Sequence, residues 1–170
     1  MASLLETQPL RKPAHVRGEA AILSLGLPSL EQDQLKTYLG AAPDPDAAIH
    51  YLLSLKQRSP EALERLAHSP SGLQYFVTVA SFSRFLSEEI LQNPQWLEEV
   101  SGMNRLLTAS EYKKRLGKFL KDPAERALAL SLALFRRQQI LRILLRDVLG
   151  LSSVSEATEE LSNLADAILQ

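Results

Sequence analysis

Residues 135–147 read FRRQQILRILLRD, and this stretch decides the fold. Its apolar residues recur at the three- and four-residue spacing of a helix, so that Leu141 and Leu145 lie on one face. The amphipathic pattern extends from an Asp-Pro pair, which is a typical helix start, to Gly150, which is a typical helix end. The stretch therefore predicts one long helix near 123–149.

A polar ridge runs along the same predicted helix. Gln138, Arg142 and Arg146 are spaced four residues apart and line up on one side of it. Like charges at this spacing repel each other, so two arginines in a row indicate an anionic partner. The partner is either an acidic side chain on a neighbouring helix, which we favour, or an external phosphate.

The rest of the chain has the punctuation of further helices. Ser59-Pro60 and Asn93-Pro94 each have the form of a capping residue followed by a proline in the first turn. Asp46 and Ser155 are candidate starts for two more helices. No pair of alternating strands joined by a hairpin turn is visible. We therefore predict an all-α fold, an irregular multi-helix bundle.

The domain organisation follows from composition. Residues 1–17 are polar and contain two prolines, so we expect a loose leader. Residues 18–170 are predicted to form a helical domain, either as one unit or divided into subdomains 18–104 and 105–170.

Residue types that carry out chemistry are sparse or poorly spaced. The chain has no cysteine, which excludes disulfides, thiolate metal sites and cysteine nucleophiles. Its seven glycines are too dispersed for a phosphate-binding loop, and its three histidines lack metal-ligand spacing. Asp44-Pro45-Asp46 has the spacing of a magnesium-binding pair, but a turn and a helix cap explain it. We predict no catalytic, cofactor-binding or metal-binding residue.

The charge distribution limits the choice of partner. The net charge is −1, but 11 of the 19 lysines and arginines lie between Arg105 and Arg146. Such a block is suited to an acidic partner or to acidic segments of the same chain. A nucleic-acid role is disfavoured because the chain as a whole is not basic. No apolar run is long enough to span a membrane, and we expect a cytoplasmic protein.

Two segments resemble one enzyme family. The pattern F-R-R-x4-R-I-x2-R-D-x-L-G-L at 135–151, followed by E-L-S-x-L-A-D-A-I-L at 160–169, resembles the segment before the first nucleotidyltransferase domain of glutamine synthetase adenylyltransferase. The stretches SFSRFL at 81–86 and NPQWL at 93–97 are similar to the N-terminal helical region of the same enzymes.

The resemblance implies a large bifunctional enzyme that adds AMP from ATP to glutamine synthetase and removes it by phosphorolysis. In that family a Gly-rich turn and a Ser-Asp-x-Asp signature follow the segment that matches 164–167, LADA. ATP and magnesium are therefore expected to bind an adjacent catalytic domain, and this chain is expected to be a fragment or truncated homologue that scaffolds it. The resemblance further implies that the residues matching the motif contact an anion or the adjacent domain. These residues are Arg136, Arg137, Arg142, Arg146 and Asp147.

A second hypothesis stays open. The chain is alternatively a free-standing helical interaction module, which binds an acidic protein or a helix through its basic ridge or an apolar face. Under the first hypothesis, by contrast, the partner of the chain is the nucleotidyltransferase domain or a protein such as glutamine synthetase.

Overall fold

The computed structural model describes residues 14–100, 102–121 and 127–169, and within these ranges it contains helices and no strand. The all-α fold predicted from the sequence is therefore confirmed. The helices of the described ranges are α1 (Ala14–Leu25), α2 (Ser29–Ala41), α3 (Pro45–Arg58), α4 (Pro60–His68), α5 (Gly72–Phe82), α6 (Arg84–Gln92), α7 (Gln95–Glu99), α8 (Ala109–Phe119), α9 (Leu128–Val148) and α10 (Val154–Leu169).

Helix α3 is capped by Asp44 and not by the predicted Asp46. The Asp44 Oδ1 accepts a hydrogen bond from the backbone N–H of Ala47 at 2.9 Å. Pro45 explains the shift, because its fixed φ suits the first helical position and makes the preceding residue the cap. Asp46 lies in the first turn, where a negative charge favours the helix N-terminus.

The start of α10 also differs from the prediction at Ser155. Ser153 and Glu156 cap the helix reciprocally, so the first helical residue is Val154. Ser153 Oγ accepts from Glu156 N at 3.2 Å, and Ser153 N donates to the Glu156 carboxylate at 2.8 Å. This capping box satisfies two backbone donors at once, which a start at Ser155 would not do. By contrast, α4 begins as predicted, after Ser59 and with Pro60 in its first turn.

Helix α9 is shorter at its start than the predicted helix near 123–149. The predicted Asp-Pro start falls in residues 122–126, which lie outside the described residues. Ala127 has a ψ of 137°, which is extended backbone, so the first helical residue is Leu128.

The end of α9 is as predicted. Gly150 has a φ of +68°, the left-handed conformation that glycine adopts without steric cost. Leu151 N donates to Arg146 O at 2.8 Å, and Gly150 N donates to Asp147 O at 3.0 Å. These two bonds define a Schellman motif, which satisfies carbonyl groups that the last turn would leave exposed.

Two apolar clusters form the interior of the described residues, and α9 contributes to both. The larger cluster is built from α1 to α7 together with Leu141 and Leu145. The smaller one, from α8, α9, α10 and the loop before α8, consists of Leu107, Tyr112, Phe135, Ile143, Leu164 and Ala167. Ile140 packs against both clusters, so α9 joins them along its length.

Two further expectations from the sequence concern the predicted leader and the absence of a membrane-spanning segment. Most of the predicted leader, 1–17, lies outside the described residues, and residues 14–17 belong to α1. Among the described helices, none combines the length and the apolar character needed to cross a bilayer.

Candidate functional site

The arginine ridge of α9 meets one acidic side chain on α10. Arg142 Nη1 donates to Glu160 Oε1, and Arg146 Nη1 donates to Glu160 Oε2 at 2.5 Å. All three side chains are buried, at 2%, 1% and 0% exposure. One carboxylate therefore bridges two guanidinium groups that would otherwise repel each other one helical turn apart.

Two further donors complete the hydrogen bonding of Glu160. The hydroxyl of Tyr112 on α8 donates to Glu160 Oε1 at 3.0 Å, and the backbone N–H of Leu107 donates to the same oxygen at 2.9 Å. Buried charges are tolerated when they are paired and hydrogen-bonded in this way. The Glu160 carboxylate thus links α8, α9, α10 and the loop before α8.

The two guanidinium groups also donate to backbone carbonyls. Arg142 Nη2 donates to Gly102 O and, at 2.6 Å, to Arg105 O. Arg146 Nε donates to Met103 O at 3.0 Å, and its Nη2 donates to Leu151 O at 3.3 Å. The two arginines therefore hold the loop 102–107 against α9.

The same loop is anchored at its other end by Glu111, the third residue of α8. Glu111 forms a capping box with Thr108 and a two-pronged ion pair with Arg105, with N···O distances of 2.5 and 3.1 Å. The hydrogen bond from Arg105 is the main cause that lowers the pKa of the Glu111 carboxyl to about 2. Glu111 is therefore ionised throughout the physiological range.

The electrostatics of the buried groups are set by desolvation and by the neighbouring charges. Burial acts to raise the pKa of Glu160, but the Leu107 N–H and the Arg142 guanidinium outweigh it and hold that pKa below its ordinary value. Burial and the Glu160 charge raise the pKa of Tyr112, so its hydroxyl stays protonated as a donor. Burial, followed by repulsion from Arg142, lowers the pKa of the nearby Arg115.

The cluster has the properties of a structural clamp. Glu160 is fully buried, and its two carboxylate oxygens already accept from Leu107, Tyr112 and the two arginines, so the carboxylate is out of reach of a substrate. General acid–base catalysis needs a group within hydrogen-bond reach of a substrate. The cluster instead fixes the relative positions of three helices and one loop.

The other three predicted residues lie outside the clamp. Arg137 Nη1 donates to Glu89 Oε1 on α6 at 2.6 Å, and its guanidinium carbon lies 5.4 Å from the centre of the Phe85 ring. Arg136 and Asp147 are exposed. The five predicted residues are therefore not brought together: two are in the clamp, one ties α9 to α6 and two face solvent.

Sequence reasoning missed Glu160 and Tyr112 as members of the cluster. The signal for Glu160 was present, because it shares a face of α10 with Leu164 and Ala167, both buried. An acidic residue on an apolar face indicates a buried cationic partner. No comparable pattern marks Tyr112, since a tyrosine on the apolar face of a helix is ordinary core composition.

The residues considered as metal ligands have structural roles where they are described. Asp44 caps α3, His68 Nδ1 lies 2.7 Å from Glu64 O, and His50 packs edge-on against Tyr51. No cluster of three or more metal-ligating side chains occurs in the described part of the chain.

Comparisons with known proteins agree with the motifs of α9 and α10. The model of the family described as glutamate-ammonia ligase adenylyltransferase matches residues 73–170, which run from α5 to α10. Similar curated proteins are bifunctional glutamine synthetase adenylyltransferase/adenylyl-removing enzymes. That of Pasteurella multocida is 30% identical over 63% of this chain, and that of Shewanella frigidimarina is 29% identical over 73%.

The match covers a small part of those relatives. The chain spans 12% of the Pasteurella multocida protein and 13% of the Shewanella frigidimarina protein. No solved structure is detectably similar to the chain.

Proposed function

Because the chain belongs to the glutamate-ammonia ligase adenylyltransferase family, we propose that its helices form a platform against which a nucleotidyltransferase domain packs. In this proposal the helical chain performs no chemistry itself, and ATP and magnesium bind to the catalytic domain. The activity it supports is the one that the relatives' names describe, the adenylylation and deadenylylation of glutamine synthetase.

The observation that carries the proposal is an exposed apolar stripe on α10. Val154, Leu161 and Leu169 are spaced seven and eight residues apart and lie along one side of the helix. Their exposures are 79%, 46% and 84%. Single exposed apolar residues are ordinary, but an aligned row indicates a contact surface. We refer to these three residues as the α10 stripe.

The clamp supports this role of the stripe. Glu160 fixes the buried face of α10 against α9, so the neighbouring face that carries the stripe is held in one orientation. A surface fixed in advance loses less conformational entropy when a partner binds than a mobile one does. A catalytic domain docked on α10 is thereby held at a defined position relative to the other helices.

The length of the relatives supports the proposal that a whole domain packs against the α10 stripe. Since the chain corresponds to about an eighth of their length, most of such a protein lies outside the matched segment. The stripe offers that remainder an apolar contact, and burying one leucine side chain contributes roughly 1.5–3 kcal/mol.

The proposal is tested by reconstitution from two parts. The chain is mixed with the Pasteurella multocida relative from which the matched segment has been deleted, and association is measured by calorimetry. We expect Leu161→Glu to weaken association more than about tenfold, because it places a charge in an apolar contact. Ser155→Glu, which adds the same charge about 120° from Leu161 around the exposed side of α10, is the control and should have little effect.

Three outcomes discriminate between the hypotheses. AMP transfer to glutamine synthetase by the chain alone would contradict the proposal. If the Leu161→Glu and Ser155→Glu chains associate equally well with the deleted relative, the α10 stripe is not the docking surface. Tight binding to glutamine synthetase, without binding to the deleted relative, would favour the alternative of a free-standing interaction module.

A further inference from the structure

The basic block between Arg105 and Arg146 is divided in the folded chain between paired arginines and exposed lysines. Its paired arginines, each with a carboxylate partner, are Arg105, Arg137, Arg142 and Arg146. The lysines of the block lie on α8 or directly after it, and all of them are exposed. We refer to them as the lysine face of α8, which consists of Lys113, Lys114, Lys118 and Lys121. Most of the exposed positive charge of this block therefore lies on one helix.

The acidic residue of α8 does not neutralise the lysine face. Glu111 is bonded to Arg105 and to the backbone N–H of Thr108. No ion pair that involves Lys114, Lys118 or Lys121 occurs within the described part of the chain. These three lysines follow one another at intervals of four and three residues, so they form a row about 10 Å long on the solvent side of the helix. Such a row is suited to a partner whose negative charges have the same spacing.

Gly117 lies within the lysine face. The nearest surface neighbours of a helical residue are three and four positions away, which here are Lys113, Lys114, Leu120 and Lys121. A Cβ at Gly117 would meet no atom of the described chain within 4 Å, and the φ of Gly117 is not in the left-handed region. Neither packing nor backbone conformation therefore requires a glycine, although glycine destabilises a helix interior relative to alanine. What the glycine provides is a gap between the lysines, where the backbone of α8 is open to a close approach.

We propose that the lysine face binds an acidic helix of a partner protein, which crosses α8 at Gly117. Carboxylates one and two turns apart on the partner face Lys114, Lys118 and Lys121. The two backbones come closest at Gly117, because no side chain separates them there. Leu120, which is 41% exposed, adds an apolar contact at the end of the face. The lysine face shares no residue with the α10 stripe, so this inference does not depend on the proposed docking of a catalytic domain.

A nucleic acid fits the same surface less well. The net charge of the chain is −1, so a long polyanion that extends beyond the lysine face meets a surface that carries most of the acidic residues. A short acidic helix, by contrast, interacts mainly with charges within the Debye length, which is about 8 Å at physiological salt. The lysine face also contains neither arginine nor an aromatic residue, the side chains on which base recognition and base stacking depend.

The proposal is tested with the intact chain and labelled peptides of about 17 residues, by fluorescence anisotropy at low salt. The matched peptide is an alanine-rich helix with three glutamates at intervals of four and three residues and a leucine on the same face. The comparison peptide has the same composition and helicity, but its glutamates are distributed around the helix. We expect the matched peptide to bind with a Kd below about 1 mM, about 5- to 10-fold tighter than the comparison peptide, and more weakly at high salt. Duplex DNA of about 20 base pairs should bind more weakly than the matched peptide.

Two substitutions on the lysine face, each with a matched control, assign the contacts. Lys114→Gln should weaken the matched peptide about 3- to 10-fold, whereas Lys36→Gln, which removes an exposed lysine of α2, should not change its affinity. Gly117→Gln should weaken it about tenfold because a side chain then fills the gap, whereas Gly40→Gln, at a glycine of α2 with equally open surroundings, should not. Neither glycine variant should lower the urea midpoint, since glutamine is a better helix former than glycine.

The proposal is overturned if the matched peptide binds no more tightly than the comparison peptide, because the lysine face would then be an ordinary solvated surface. Tighter binding of duplex DNA than of the matched peptide would also overturn it, in favour of a nucleic acid. If Gly117→Gln stays folded and binds as the parent chain does, the partner does not approach the backbone of α8 and the proposed geometry is wrong. Equal losses for Lys114→Gln and Lys36→Gln would contradict the assignment to α8.

Discussion

Replacing Glu160 by glutamine removes one negative charge from a position with no solvent exposure. The substitution keeps the shape of the side chain, so the lost charge and hydrogen bonds dominate the effect. The amide oxygen can still accept from Arg142, Tyr112 and Leu107, but the amide N–H₂ then faces Arg146 as a second donor. Arg146 therefore loses a charge-assisted hydrogen bond and gains an unfavourable contact.

The size of the loss follows from the balance of charge in the clamp. Two guanidinium groups already face one carboxylate, and their other described hydrogen bonds go to backbone carbonyls such as Met103 O and Arg105 O. Without the Glu160 charge, both arginines stay buried and lose the carboxylate that they share. Breaking a buried pair by removing one partner costs about 3–5 kcal/mol, and we expect Glu160→Gln to lower the free energy of unfolding by that amount.

Urea unfolding followed by Trp96 fluorescence and far-ultraviolet circular dichroism measures this change. With an m-value of about 2 kcal/mol/M, the midpoint should fall by about 2 M urea. In thermal unfolding, the Tm of a chain of this size should fall by about 6–20 °C.

A surface pair supplies the control. Arg65 and Glu98 are 3.0 Å apart, and their side chains are 52% and 33% exposed. Because exposed pairs contribute about 0–1 kcal/mol, Glu98→Gln should move the midpoint little. If Glu160→Gln costs no more than Glu98→Gln, the clamp contributes nothing to stability and our account of it is wrong.

Three further predictions concern pH and glycine. The folded-state pKa of Glu160 lies below its unfolded value of about 4.3, so its stabilisation is present above that pH and lost as the pH falls through the folded pKa. The urea midpoints of the parent chain and Glu160→Gln should therefore differ at neutral pH and converge only as the pH falls below about 4. Gly72→Ala places a Cβ 2.2 Å from Leu66 O and should cost about 3 kcal/mol by calorimetry, whereas Gly117→Ala, with open space around it, should stabilise the helix by about 0.5–1 kcal/mol. Gly150→Ala forces a φ of +68° on a residue with a Cβ and should lower the Tm, at a cost of about 1–2 kcal/mol.

The fold was readable from the sequence because helix periodicity and helix ends are local signals. Gly150 ends α9 as predicted, since only its own backbone and the last turn of the helix are involved. The predicted caps Asp46 and Ser155 were wrong by two residues for a local reason as well. In each case the residue two positions earlier gives a better set of hydrogen bonds with the first turn, as Asp44 and Ser153 do.

For the arginine ridge of α9, the sequence predicted only the chemical class of the partner and not the residue itself. The spacing of Arg142 and Arg146 indicates an anion, but Glu160 is 18 and 14 residues away from them and was one of many acidic residues. Its selection depends on how α10 packs against α9, which is a tertiary property.

Helix α9 is the element that makes the two apolar clusters depend on each other. Leu141 and Leu145 belong to the larger cluster, whereas Phe135 belongs to the smaller one on the same helix. Each backbone hydrogen bond of a helix supports side chains on every face, so α9 cannot lose structure toward one cluster and keep it toward the other. Damage at Glu160, which accepts hydrogen bonds from Leu107 and Tyr112 of the smaller cluster, must therefore reach Trp96 in the larger one, and the fluorescence and circular dichroism transitions should coincide.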